Sequence, residues 1–274
     1  MAVSIEDIKK LRNMTGAGMM DCKNALAETD GDINAAIEII RKKGQAVAAK
    51  REDREAAEGC VFSAVEPGFG AIVALKCETD FVAKNESFVN LTKEILAAAM
   101  AAKAKSIEEV KALKIGDRTI EEKITDEIGK TGEKMELGAY ECIEAPTVAS
   151  YDHLGNKLAT IVGLSVEGID LSVGREVAMQ VAAMNPIAAN RQDVPAEIVA
   201  QELEIGKEKA RQEGKKEEML ERIAEGRLNK FYKETVLMEQ EYHRDAKLTV
   251  AQYLDGQSKG MVVTGFKRVN LNQD

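Results

Sequence analysis

Val61-Phe62-Ser63-Ala64-Val65, then Glu66-Pro67-Gly68-Phe69-Gly70, then Ala71-Ile72-Val73-Ala74-Leu75 read as strand, turn and strand. Pro67 and Gly68 divide two runs rich in β-forming residues, which is the pattern of a hairpin. The same plan returns in Val148-Ala149-Ser150-Tyr151, the turn Asp152 to Asn156, and Leu158 through Leu164. At an offset of 89 residues, Ile72-Val73 falls on Ile161-Val162, Leu75 on Leu164 and Glu78 on Glu167. Each hairpin is followed by an Ala-rich apolar stretch with helical spacing: Phe88 to Ala104, and Arg175 to Met184. Lys134–Ile143 and Gly260–Phe266 read as a further strand closing each half. The predicted fold class is therefore α+β, with a two-part core of duplicated hairpin-plus-helix halves over 59–145 and 146–274.

Outward from this core, residues 1–44 read as three short helices. Ser4 stands as an N-cap before Ile5, Ile8 and Leu11; Thr15-Gly16-Ala17-Gly18 breaks the chain; Met19 to Ala27 resumes the helical spacing. Asp32 is a second N-cap before Ile33, Ala36, Ile37 and Ile40, and Arg41-Lys42-Lys43-Gly44 reads as a stop. Residues 45–58 read as a charged, Ala-rich linker. Within the second half, 194–230 is dense in charges of both signs, with apolar residues at helical spacing and a Glu213-Gly214-Lys215-Lys216 turn. It is expected to be an inserted antiparallel helical hairpin.

Composition narrows the function. The 274 residues carry a net charge of −9, 4% aromatics and no Trp, so small aliphatic residues and Met must fill the core. An acidic chain has no overall attraction to nucleic acid or an anionic membrane. Four cysteines without CxxC spacing read as reduced thiols. The first residues lack the pattern of a signal peptide, and the longest apolar run, Ile95 to Ala102, is too short to span a bilayer, so a cytoplasmic protein is expected. With only His153 and His243, no HExxH or His-rich metal site exists. Gly129-Lys130-Thr131 resembles the end of a phosphate loop, but Ile124 stands where the pattern needs Gly. Catalytic machinery and a bound cofactor are not expected.

Three constellations remain. In Leu11 to Lys23, Met19 and Met20 are adjacent and cannot both face one core, so at least one offers a soft apolar surface. Arg12 there is either a solvated charge or an anchor. In Glu78-Thr79-Asp80-Phe81-Val82-Ala83-Lys84-Asn85, Thr79 or Asp80 can cap the next helix. Phe81 either staples back onto its own helix or stands out as a wedge for a partner. In Ser150 to Gly155, His153 lies in a hairpin turn. His243 has no motif around it and is given no role.

At these residues the chain resembles the bacterial elongation factor Ts family. LRNMTGAGMMDCKNAL (Leu11–Leu26) and CETDFVAKNESF (Cys77–Phe88) are similar to that family's two signatures. The likeness extends over essentially the whole chain and implies a three-helix module of ubiquitin-associated type at the N-terminus. It implies guanine-nucleotide exchange on elongation factor Tu during translation, without covalent chemistry. By the same resemblance Thr79, Asp80, Phe81 and Val82 enter the partner beside its nucleotide and disturb its Mg²⁺. Arg12, Met19 and Met20 dock the N-terminal module on the partner. Ile128 and His153 match further core contacts, although Asn156-Lys157-Leu158-Ala159 after the histidine departs from the family's usual continuation. The implied partner set is elongation factor Tu, with no direct nucleotide binding, no nucleic acid and no membrane; a homodimer or 2:2 complex stays open. The competing expectations are a nucleic-acid module built on Arg41 to Arg54 and an enzyme using paired carboxylates. The first lacks aromatics among its cations, and the second lacks two carboxylates that can be placed in one cleft.

Overall fold

The computed structural model of the protein describes residues 3–272. Ser4 begins the first helix, α1 (Ile5–Thr15), by accepting the Asp7 N–H at 3.0 Å. Gly16 ends it at φ 69°, a left-handed conformation that costs glycine little, and returns its N–H to the Arg12 carbonyl. The next helix, α2 (Met19–Glu28), leads through a turn to α3 (Ile33–Lys50), capped by Asp32 through the N–H groups of Asn34 and Ala35. Ile8, Leu11, Cys22, Ala25, Leu26 and Ala36 form the core these three helices share.

The expected stop at Gly44 does not occur: α3 runs on to Lys50, and only residues 51–57 link it to the first strand. The reason is packing. Gly44 is buried, and a Cβ placed on Gly129 would lie 2.9 Å from the Gly44 Cα. Two glycines thus let two helix backbones cross closely, and the cations that precede Gly44 mark no helix end.

The strands β1 (Glu58–Glu66) and β2 (Phe69–Cys77) form the first hairpin around Pro67-Gly68. There follow α4 (Asp80–Ala83), α5 (Glu86–Ala102), α6 (Ile107–Ala112), the short strands β3 (Lys114–Ile115) and β4 (Arg118–Thr119), α7 (Ile120–Thr131) and β5 (Met135–Glu144). The sheet order is β1-β2-β5. Phe88 and Ile95 are fully buried on α5, and Thr92 Oγ1 receives the Cys60 thiol. Gly129-Lys130-Thr131 lies inside α7 and not on a loop, and Lys130 Nζ donates to Glu127 there.

The second hairpin is β6 (Thr147–Asp152) and β7 (Leu158–Leu164), antiparallel with Thr147 opposite Leu164 and Asp152 opposite Ala159. Next are α8 (Leu171–Met184), α9 (Ala196–Gln212), α10 (Glu217–Thr235), β8 (Glu241–Tyr242), β9 (Asp245–Thr249), α11 (Val250–Gln257) and β10 (Val263–Asn270). This sheet runs β10-β7-β6. Val162, Leu164, Val177, Val181, Leu237 and Leu254 fill its core. The helices α9 and α10 are antiparallel, as Lys207–Glu221 and Arg211–Glu217 ion pairs across them require. His243 is structural: Gln180 Oε1 meets its ring at 3.0 Å and its backbone N–H at 2.9 Å.

Two compact units result. The first takes the chain through Phe62, Val73–Glu141 and the residues from Asn270 onward; the second takes Ser63–Ile72 and Cys142–Val269. The three N-terminal helices belong to the first unit and do not stand apart, and the hairpin tip 63–72 belongs to the second. The strands β1 and β2 are each nine residues long and each lies partly in one unit and partly in the other.

Candidate partner-binding site

The Thr79–Asn85 stretch forms a single helical turn, α4, too short to persist by propensity alone. Thr79 caps it, with the Val82 N–H 3.4 Å from its Oγ1. The rest of its support is polar and comes from elsewhere in the first unit. The Glu133 carboxylate accepts the Thr79 N–H at 3.0 Å and the Thr79 hydroxyl at 2.6 Å. One residue earlier, Glu78 accepts the Lys134 N–H at 2.7 Å and the Arg51 guanidinium at 3.1 and 3.2 Å. The Lys134 N–H, then the Arg51 charge, hold the Glu78 carboxyl below the usual carboxylate range. Ala83 is buried beneath the turn.

On this support stands Phe81, 84% exposed. The ring makes no staple with its own helix. Asp80 and Lys84 pair across the exposed face at 2.6 Å, an arrangement that water competes with easily. The turn thus presents a large aromatic ring beside a carboxylate on a backbone fixed from two sides.

In the same unit, Arg12 lies exposed in the last turn of α1, and Met19 and Met20 open α2 with 46% and 62% of their surfaces in solvent. Both methionines therefore face outward, where at least one was expected to. Ile128 is buried, on the stripe Ile120, Ile124, Glu127, Ile128 that α7 turns inward.

In the second unit, His153 is exposed in the turn between β6 and β7, its Nδ1 2.9 Å from the Tyr151 hydroxyl. Its neighbour Leu154, absent from the sequence reading, is 91% exposed at the tip. Glu133 and Arg51 were also missed, because nothing local marks a carboxylate as the acceptor for a turn 54 residues away.

A cleft of about 970 Å³ runs along α3, α5 and α7 in the first unit. Its charges meet one another: Arg41 with Glu38, Lys123 with Glu94, Arg118 with Asp126, and buried Glu127 with Lys130. Among the described residues no group of His, Cys, Asp and Glu is arranged to hold a metal ion, and no helix is long and apolar enough to cross a membrane.

The sequence comparisons give the class first: the relatives are translation elongation factors. The family described as Elongation factor TS matches residues 78–273. Elongation factor Ts of Porphyromonas gingivalis is 59% identical over 275 residues, covering 100% of both chains. The Elongation factor Ts of Azobacteroides pseudotrichonymphae is 51% identical, again over 100% of both chains, and that of Flavobacterium psychrophilum 45% over 98% of both. The chain belongs to the elongation factor Ts family.

Proposed function

We propose that the protein is the guanine-nucleotide exchange factor for elongation factor Tu, acting in the cytoplasm by binding alone. A GTPase holds GDP partly through a Mg²⁺ that bridges protein oxygens and phosphates. A factor that binds the nucleotide-free GTPase more tightly than its GDP form weakens GDP by the same factor. No bond need be made or broken. In this reading Phe81 wedges into the partner beside its Mg²⁺ site, Asp80 exchanges its Lys84 pairing for polar contacts there, and Thr79 and Val82 flank them. Arg12, Met19 and Met20 dock the N-terminal helices, a module of ubiquitin-associated type, on the GTPase. His153 makes a further contact from the second unit.

The observation that carries the reading is the exposure of Phe81 on a turn held in place by Glu133 and Glu78. Burying an aromatic ring costs about 2 kcal/mol or more to undo at an interface hot spot. We also read the two sheets as duplicated halves. Both place the closing strand beside the second strand of the hairpin, and Ser63 and Asp152, separated by the 89-residue offset of the repeat, hydrogen-bond at 2.5 Å.

The test is release of fluorescent GDP from elongation factor Tu in stopped flow. The protein should accelerate it strongly, and excess GDP should dissociate the complex in a pull-down. An RNA gel shift that is strong and steeply salt-dependent, with no acceleration of release, would instead favour the nucleic-acid reading.

A further inference from the structure

The Phe81 turn is made of four residues, and its one exposed ring contributes nothing to holding it. Its geometry is set by two neighbouring pairs of contacts. Thr79 is received by Glu133, and Glu78 receives the N–H of Lys134. The pairs are reciprocal: residues 78–79 and 133–134 exchange hydrogen bonds side by side, so the turn is fixed in rotation as well as position. Glu133 is itself set by its own N–H, which donates to Thr131 Oγ1 at 3.3 Å, directly after α7 ends at Gly132. Arg51, at the end of α3, adds the third anchor through Glu78, and Lys134 Nζ returns to the Glu52 carbonyl at 2.9 Å.

We infer that Glu133 is a positioning residue for nucleotide exchange, holding the Thr79–Ala83 turn so that the Phe81 ring meets the partner already oriented, with Glu78 and Arg51 as its auxiliaries. The inference rests on the exchange reading above. Its physical content is pre-organisation: a ring on a loose turn must be ordered during the encounter, and that cost falls on the step that expels GDP. Glu133 touches neither partner nor nucleotide in this scheme. A carboxylate is suited to the task because its two oxygens receive the N–H and the hydroxyl of Thr79 at once.

The experiment is a titration of the protein against elongation factor Tu carrying fluorescent GDP, reading the maximal release rate and the half-saturating concentration separately. Glu133→Ala should lower the maximal rate roughly tenfold while the half-saturating concentration moves less than about threefold. Glu133→Gln, which retains its volume and one acceptor, should lose about threefold and serves as the well-folded variant. In a cycle with Phe81→Ala the losses should not add: with the ring gone, removing Glu133 should cost less than about twofold more. A merely structural role would instead multiply the two losses. A full maximal rate in both Glu133 variants, or complete additivity with Phe81→Ala, overturns the inference and leaves the exchange reading standing. An unchanged rate in Phe81→Ala alone overturns the wedge role of Phe81, and no acceleration by the parent protein overturns the exchange reading itself.

Discussion

Two turns of this molecule each hold a large apolar side chain out in water: Phe81 on α4 and Leu154 between β6 and β7. They are supported very differently. The Phe81 turn is anchored by the distant Glu133 carboxylate, by the distant Lys134 N–H and Arg51 guanidinium that Glu78 receives, and by a buried alanine. The Leu154 turn is held mainly by its own hairpin, through the His153 N–H to the Leu158 carbonyl and the Asn156 N–H to His153, with Gly155 and Asn156 at positive φ. Exposure of an apolar group is thus common to both; outside fixation of the Leu154 turn comes from Ser63 alone, whose N–H and hydroxyl meet Asp152 at its base, whereas the Phe81 turn is held by two separate segments, 133–134 and Arg51. An exposed ring that the fold takes trouble to hold still is the better candidate for a wedge, since ordering it was done in folding and not at the encounter.

The comparison can be broken most directly at the two tips. Phe81→Ala should slow GDP release from elongation factor Tu well over tenfold, a loss of about 2 kcal/mol or more; Leu154→Ala, measured in the same assay, should slow it less than about threefold. Equal losses would end the distinction. The crossing of α3 and α7 should be nearly as sensitive. Gly129→Ala would gain about 1 kcal/mol in helix propensity, but its Cβ would press on the Gly44 backbone at 2.9 Å. Overpacking should prevail, lowering unfolding free energy by about 1 kcal/mol in denaturant titration. Arg12→Ala should weaken the complex by about 1 kcal/mol in calorimetry with little change in maximal release rate; an unaltered affinity removes it from the interface.

The smallest effect concerns pH. Glu78 has its carboxyl lowered in the folded state by the Lys134 N–H and the Arg51 charge. Its ionised form therefore stabilises the fold at neutral pH, and that contribution is lost as pH falls through the folded-state value. Glu78→Gln should be less stable than the parent by about 1 kcal/mol at pH 7, and the gap should close as pH falls below the usual carboxylate range. A gap that persists in acid would mean that the side chain acts by packing and not by charge.

Much of this was legible locally. Ser4, Asp32 and Thr79 cap helices as their residue types suggest, and both hairpins form where Pro67-Gly68 and Gly155-Asn156 turn the chain. That at least one of Met19 and Met20 lies outward follows from adjacency, since two adjacent residues cannot both face one core; that both do is decided by the fold. Local reasoning failed at Gly44, whose glycine and cations look like a helix end, because the competing use, close approach to α7, involves a residue 85 positions on. The burial of Ile128 lies beyond local reasoning for a related reason. Whether an apolar residue on an amphipathic helix faces a core or a partner depends on which side of the helix the rest of the chain covers.

The amino-acid sequence alone determined the family signatures, the helix caps and the two hairpins, because these are set by residues within a few positions of one another. The tertiary structure decided that the Phe81 ring stands in solvent, that Glu133 and Arg51 hold its turn, and that α3 continues past Gly44. Those outcomes depend on chain segments returning from far away to compete for the same hydrogen-bond donors and the same space, and no local pattern records which of them wins.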